Sequence, residues 1–231
     1  MIYSALLVGS LSGSLGGFTA SRNAGGPYIR RRAIPIQPNT AGQQDVKARL
    51  SALSAAWASD LTQAQRTAWN TYGTNTPILN ALGETILLQG RSWFVGNNVA
   101  RLRAGLARVD AGPTTFGLPE LTLPTMDADN GPSIDIGYTN TDSWATAVGG
   151  ALLVQASKQK SPTVFFFKAP FLYVGRVNGA VTPPTSPAAF TAGLPSALTA
   201  GNAVWVRVRG ATADGRLSAP IILRTIVVIA G

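Results

Sequence analysis

The sequence predicts an α+β N-terminal part, a β-hairpin arm with about three helices, followed by an all-β sandwich. Three observations carry this. Residues 9–26 are dominated by Gly and Ser, which suits an extended arm or hairpin and not a core. Between residues 39 and 110 apolar residues recur at helical spacing, behind two capping boxes. After a proline-rich break at 110–132 the apolar period changes to two.

In chain order, residues 1–38 read as the arm and hairpin. Phe18 and Ala20 precede a turn at Asn23–Gly26, and Tyr28, Arg30 and Arg32 then alternate with Ile29 and Arg31. A hairpin with one greasy and one basic face follows. Pro35 and Pro38 end the strand and hold the chain extended. Ile2–Val8 is apolar but short, has no basic residues before it, and is not a targeting signal.

Residues 39–110 read as a helical docking region. Thr40 with Gln43, and Thr62 with Gln65, are S/T-x-x-E/Q capping boxes. Val46, Leu50, Leu53 and Trp57 form the stripe of the first helix, and Ala64, Ala68, Trp69 and Tyr72 that of the second. The two helices are expected to pair as an antiparallel hairpin or a bent pair. Their tryptophans are expected to seal this pair, with base stacking as the competing role. Pro77–Gly90 reads as a β-hairpin around Ala81–Gly83. Ser92 is the expected cap of a third helix reaching Leu106, with Arg91, Arg101, Arg103 and Arg108 mostly off its apolar stripe.

Residues 111–132 read as a linker and 133–231 as the sandwich. Its expected strands are 133–139, 151–157, 163–177, 203–210 and 221–229, with a long irregular link at 180–201. Along 164–173 alternate side chains leave the core, so some of Phe165, Phe167 and Tyr173 are expected to face solvent or a partner.

Composition narrows the function. The chain has 231 residues, no His and no Cys. That removes disulfides, thiolate nucleophiles, zinc–thiolate sites and the commonest general base near neutral pH. Asp135, Asp142 and Asp214 stand singly beside turn residues and give no carboxylate pair for hydrolysis. Asp127 and Asp129 lie in a calcium-loop-like MDADNG, but the distal glutamate is missing, so a plain turn is expected. The glycines at 13, 16, 17, 25 and 26 do not fall on GxGxxG spacing, and no Lys-Ser or Lys-Thr follows as in a P-loop. No catalytic, cofactor or metal residue is therefore assigned, and no run reaches the ~18 apolar residues of a membrane span.

Charged residues make up only 13%, against ~25% in ordinary soluble domains, which favours a protein that covers its surface with partners. Net charge is +9, and residues 1–110 carry eleven Lys and Arg against four acids. Arg30, Arg31 and Arg32 form its densest cluster, suited to acidic partners or to phosphates. With only Tyr28 interleaved, a protein interface is preferred over nucleic acid. The candidate partner-binding residues are Tyr28, Arg30, Arg31, Arg32, Phe165, Phe167 and Tyr173.

Two resemblances add to this reading. AVWVRVRGATADGRLSAPIIL, residues 203–223, resembles the last hairpin of fibronectin type III and related immunoglobulin-like domains, with Asp214–Gly215 at the turn. The ordered set GG-x-Y-x-R-x-R-x-x-P at 25–35, P-N-T-x-x-Q at 38–43, L-T-x-x-Q-R-x-A-W-N at 61–70 and R-S-W-F-V-x-x-N at 91–98 is similar to uncharacterised structural proteins of tailed phages. This second resemblance implies a virion component, assembled in the host cytoplasm, with no catalytic residues to carry over. The resulting expectation is a non-enzymatic virion protein (minor capsid, decoration, connector or tail) that forms a homo-oligomer and contacts other virion proteins. A nucleic-acid-binding packaging protein is the first alternative, and a carbohydrate-binding adhesin the second.

Overall fold

A computed structural model describes residues 12–23, 26–34, 39–80 and 82–230. Among the described residues, three helices and a set of antiparallel sheets give an α+β class. It divides into two units, Met1–Gln44 and Asp45–Gly231.

In the first unit, β2 (Phe18–Asn23) and β3 (Gly26–Arg31) form the predicted hairpin. The sequence reading did not resolve its third strand, β1 (Gly13–Leu15), which pairs with β2. Ile2–Val8, the tip of the Asn23–Gly26 turn, and Pro35 and Pro38 lie outside the described residues.

Helix α1 (Ala41–Ser59) starts behind a formed capping box. Gln43 N donates to Thr40 Oγ1 at 3.4 Å and Thr40 N to Gln43 Oε1 at 3.2 Å. Only the second half of its apolar stripe is used. Leu53 is buried and Trp57 half-buried, whereas Val46 and Leu50 are each 42% exposed. Helix α2 (Gln63–Asn75) has the second capping box, between Thr62 and Gln65. The Arg66 guanidinium turns back to the carbonyls of Trp57 (3.2 Å) and Ala58 (3.1 Å), satisfying acceptors that the end of α1 leaves open.

The main partner of α2 is α3 (Gly90–Arg103), not α1, so the antiparallel α1–α2 hairpin, one of the two expected arrangements, is not formed. Glycine makes the α2–α3 approach possible: a Cβ on Gly90 would lie 2.5 Å from Asn70, and one on Gly73 2.4 Å from the Leu88 carbonyl. Trp69, Tyr72, Trp93, Phe94, Leu53 and Leu61 fill the core between the helices. Trp69 and Phe94 meet edge to face at 5.8 Å, as do Tyr72 and Trp93 at 5.2 Å. Helix α3 begins two residues before the expected Ser92 cap. The short hairpin of β4 (Ile78–Leu79) and β5 (Thr85–Ile86) falls where predicted.

The stretch read as a linker is packed along α2. Trp69 Nε1 donates to the Asp110 carbonyl at 2.9 Å, and Tyr72 hydroxyl to the Gly117 carbonyl at 3.2 Å. It also contains β6 (Thr125–Asp129), which pairs with β7 (Ser133–Gly137). The MDADNG segment, read as a plain turn, is mostly strand: Met126–Asp129 belong to β6, and the turn to β7 is residues 130–132, where Asp129 Oδ1 accepts from Gly131 N at 2.9 Å. β10 (Ala188–Phe190), inside the supposed irregular link, completes a sheet of order β10-β7-β6. β8 (Ala151–Ala156), β9 (Leu172–Asn178), β11 (Ala203–Ala211) and β12 (Ile221–Ile226) form a second sheet of order β12-β11-β8-β9. Both sheets feed one core, with Ile134 and Ile136 from the first and Leu152, Val154, Val204, Val206 and Val208 from the second.

The strand expected at 163–177 is shorter, beginning at Leu172. Pro162 and Pro170 bracket the missing part, and proline cannot donate to a ladder. The carbonyls there are taken by a side chain instead: Arg224 donates to Pro162 O at 2.6 Å and to Val164 O at 3.2 Å.

Candidate interaction surfaces

Period-two alternation sorts the hairpin residues by face. Thr19 lies opposite Arg30 and Ser21 opposite Tyr28, which makes one face polar and basic. Gly13 and Ala20, Leu15 and Phe18, and Ala20 and Ile29 are paired on the other face, which is apolar. Arg31 pairs with Phe18 and belongs to the apolar face, apart from Tyr28 and Arg30. Arg32 follows the strand, its N–H bonded to the Gly17 carbonyl at 2.8 Å. Leu15 (87%) and Phe18 (62%) are strongly exposed and line a concavity of about 610 Å³ with Ala20 and Ile29.

The three aromatic candidates of the β region are not brought together. Phe165 is 79% exposed, under the guanidinium of Arg224 at 4.9 Å. Phe167 turns inward, stacks on Trp205 at 5.4 Å and meets Phe171 edge-on at 5.3 Å. It is a packing residue: together with Phe171 it covers the outer face of β11 at Trp205. Tyr173 lies further along the same sheet face, beside α3, where burial raises its phenol above the ordinary value against the opposing pull of Arg176 and Arg103. The expected outward aromatic face is therefore reduced to Phe165 and its neighbour Phe166.

A third surface was not anticipated. Between the aromatic segment and α3, the outer face of β8, β9 and β11 forms a cleft of about 250 Å³. Arg103 reaches it from α3, Arg207 and Arg209 from β11, and Gln155 and Tyr173 from β8 and β9. Gln155 Oε1 accepts from Arg207 Nε at 2.7 Å, and the Ser218 carbonyl accepts from Arg209 Nε at 3.0 Å. Burial first, and then Arg103, lowers the Arg207 guanidinium below its ordinary pKa. Burial and then Arg207 do the same to Arg209. The signal for this cleft lay in the sequence as two arginines two apart on a strand, inside a stretch from 143 to 213 without one Asp or Glu.

The arginine beside it, Arg101, is structural. It is buried and gives its three nitrogens to backbone carbonyls, at Ala107 (3.1 Å), Thr212 (2.7 Å) and Gly149 (3.1 Å). Among the described residues no group of three or more Asp or Glu is placed to hold a metal ion, and no helix is long and apolar enough to cross a membrane. Comparison with known proteins gives no match, neither to a family model nor to a curated protein nor to a solved structure.

Proposed function

We propose that this chain is a non-enzymatic structural protein of a tailed-phage virion, which docks through its N-terminal part and presents an immunoglobulin-like β-sandwich. The observation that carries the reading is the hairpin sheet. A three-stranded sheet with Leu15 and Phe18 exposed on one face and Arg30 on the other is poorly suited to standing bare in water. It is suited to being covered on both faces by neighbouring subunits, the apolar face by burial and the basic face by carboxylates. The exposed first half of the α1 stripe, Val46 and Leu50, asks for the same kind of cover.

Strand order supports the finer description of the β region. Lettered A to G from β6 to β12, one sheet holds A, B and E, and the other holds C, F and G. That is the partition of immunoglobulin-type sandwiches. The fourth strand, β9, pairs with β8 and so takes the place of the extra C′ strand of variable-type domains. Such a sandwich fixes no activity by itself, and the absence of His and Cys from the chain fits a role in assembly.

The test is a Leu15→Ser, Phe18→Ser double variant, scored for incorporation into particles and for thermal melting. The reading expects incorporation to fail while melting of the second unit is unchanged. Normal incorporation overturns it.

A further inference from the structure

The arginine cleft has a function of its own to explain. From 143 to 213 the chain carries six Lys and Arg and no acid, and two of these, Arg207 and Arg209, project from one face of β11. Their cross-strand neighbours on β8 are Gln155 and Leu153, and Gln155 in turn faces Tyr173 on β9. Among the described residues no carboxylate lines the cleft.

Counting donors shows what is left over. Arg207 spends Nε and Nη2 on the single Gln155 oxygen, which leaves Nη1. Arg209 spends Nε on Ser218 and keeps both terminal nitrogens. Arg103 has no hydrogen-bond or ion-pair partner among the described residues. Two half-buried guanidiniums and a third from the facing helix thus converge without a counter-charge, an arrangement that costs free energy unless an anion enters. The lowering of both guanidiniums, by burial first and then by Arg103 for Arg207 and by Arg207 for Arg209, agrees with this.

We propose that the cleft between α3 and the β8–β9–β11 face binds a small oxyanion of the phosphate class, held by Arg103, Arg207 and Arg209 with the Tyr173 hydroxyl. Charge and shape choose this class. A monoanion leaves two of the three positive charges unmatched, whereas a phosphate near neutral pH carries roughly −1.5 to −2 and three strong acceptor oxygens. Those oxygens point in different directions and suit forks arriving from a helix and from a strand, as a planar carboxylate does not. At about 250 Å³ the cleft is smaller than the ~300–1,000 Å³ of drug-sized ligand sites, so the bound group is small. Inorganic phosphate and the phosphomonoester of a larger molecule present the same chemistry. The inference does not rest on the virion reading.

Isothermal titration calorimetry of the full chain at constant ionic strength tests it, with inorganic phosphate, phosphoserine and succinate as probes. Phosphate or phosphoserine is expected to bind at least tenfold more tightly than succinate. Arg103→Ala is expected to weaken that binding at least tenfold, Arg103→Lys less, and neither to lower melting in the absence of anion, because Arg103 has no hydrogen-bond or ion-pair partner among the described residues and its charge opposes that of Arg207. Tighter binding of phosphoserine assigns the site to a phosphoryl group on a larger molecule, and tighter binding of phosphate assigns it to the free ion. Succinate binding as well as phosphate, or Arg103→Ala binding like wild type, overturns the proposal.

Discussion

Arg101 and Arg103 sit two positions apart on α3 and do opposite things. Arg101 is 2% exposed and ties the helix to Gly149 and Thr212 of the β region, while Arg103 faces the open cleft. Sequence reading grouped them as arginines off the apolar stripe, because hydrophobic periodicity says nothing of which charged residue meets buried carbonyls. Arg101→Met keeps the length of the side chain but strands the Ala107 and Gly149 carbonyls, whereas the Thr212 carbonyl keeps its bond from Gly215 N at 3.1 Å. Each unsatisfied group costs ~1–3 kcal/mol, so a loss on the order of 2 kcal/mol or more is expected in a denaturant titration. A midpoint equal to wild type would show that water replaces the guanidinium. Trp69 was legible, since it lies on an apolar stripe and is buried as expected. Trp69→Ala should cost ~3–5 kcal/mol. Trp57, half-buried, should cost less, and the difference in melting between the two variants reads that ranking directly.

At the scale of elements, signals written in local chemistry survived folding. Both capping boxes formed, the β4–β5 hairpin fell in place, and β7, β8, β11 and β12 began where period-two alternation put them. What failed was long-range. The 111–132 stretch lacks any period because its groups are satisfied by α2 and by β7, not by a repeat of its own. Phe167 reads as an outward strand residue until Trp205, 38 positions later in the chain, offers a ring to stack on. The candidate cleft was missed for the same reason: Arg103 and Arg207 become neighbours only through the fold. Because the two units are compact by themselves, deleting residues 1–38 should leave the second unit's melting temperature within about 2–4 °C of the full chain, the shift of ~1 kcal/mol in a domain of this size. Thr40 and its capping box stay in that truncation. Collapse of the melting transition would mean that the hairpin is part of the core of the second unit.

For the whole molecule the question is what a net charge of +9 is for. Most of the excess lies in residues 1–110, and there the arginines have divergent duties. Arg66 closes the end of α1, Arg101 is buried, and Arg108 pairs with Asp60 and Asp110. Those charges are consumed by the fold and cannot meet a polyanion. Arg30, Arg31 and Arg32 are exposed on the hairpin and are, with Arg22 and Arg91, among the cations available to a partner. If the partner is duplex DNA, each phosphate contact contributes about −0.9 to the slope of log affinity against log salt. Arg30→Ala with Arg32→Ala should then flatten that slope by roughly 1.8, in the weak range of ~10⁻⁴–10⁻⁶ M typical of non-specific binding. If the partner is an acidic protein surface, the same double variant loses charge-assisted bonds that only a matching carboxylate supplies, and it fails to enter particles. Scoring both properties on one variant separates the two. We expect impaired incorporation with DNA affinity confined to the non-specific range, because the aromatics beside those arginines on the hairpin, Tyr28 and Phe18, lie on opposite faces, and single-strand platforms stack successive bases on several. Normal incorporation together with lost DNA binding would transfer the hairpin to a packaging role.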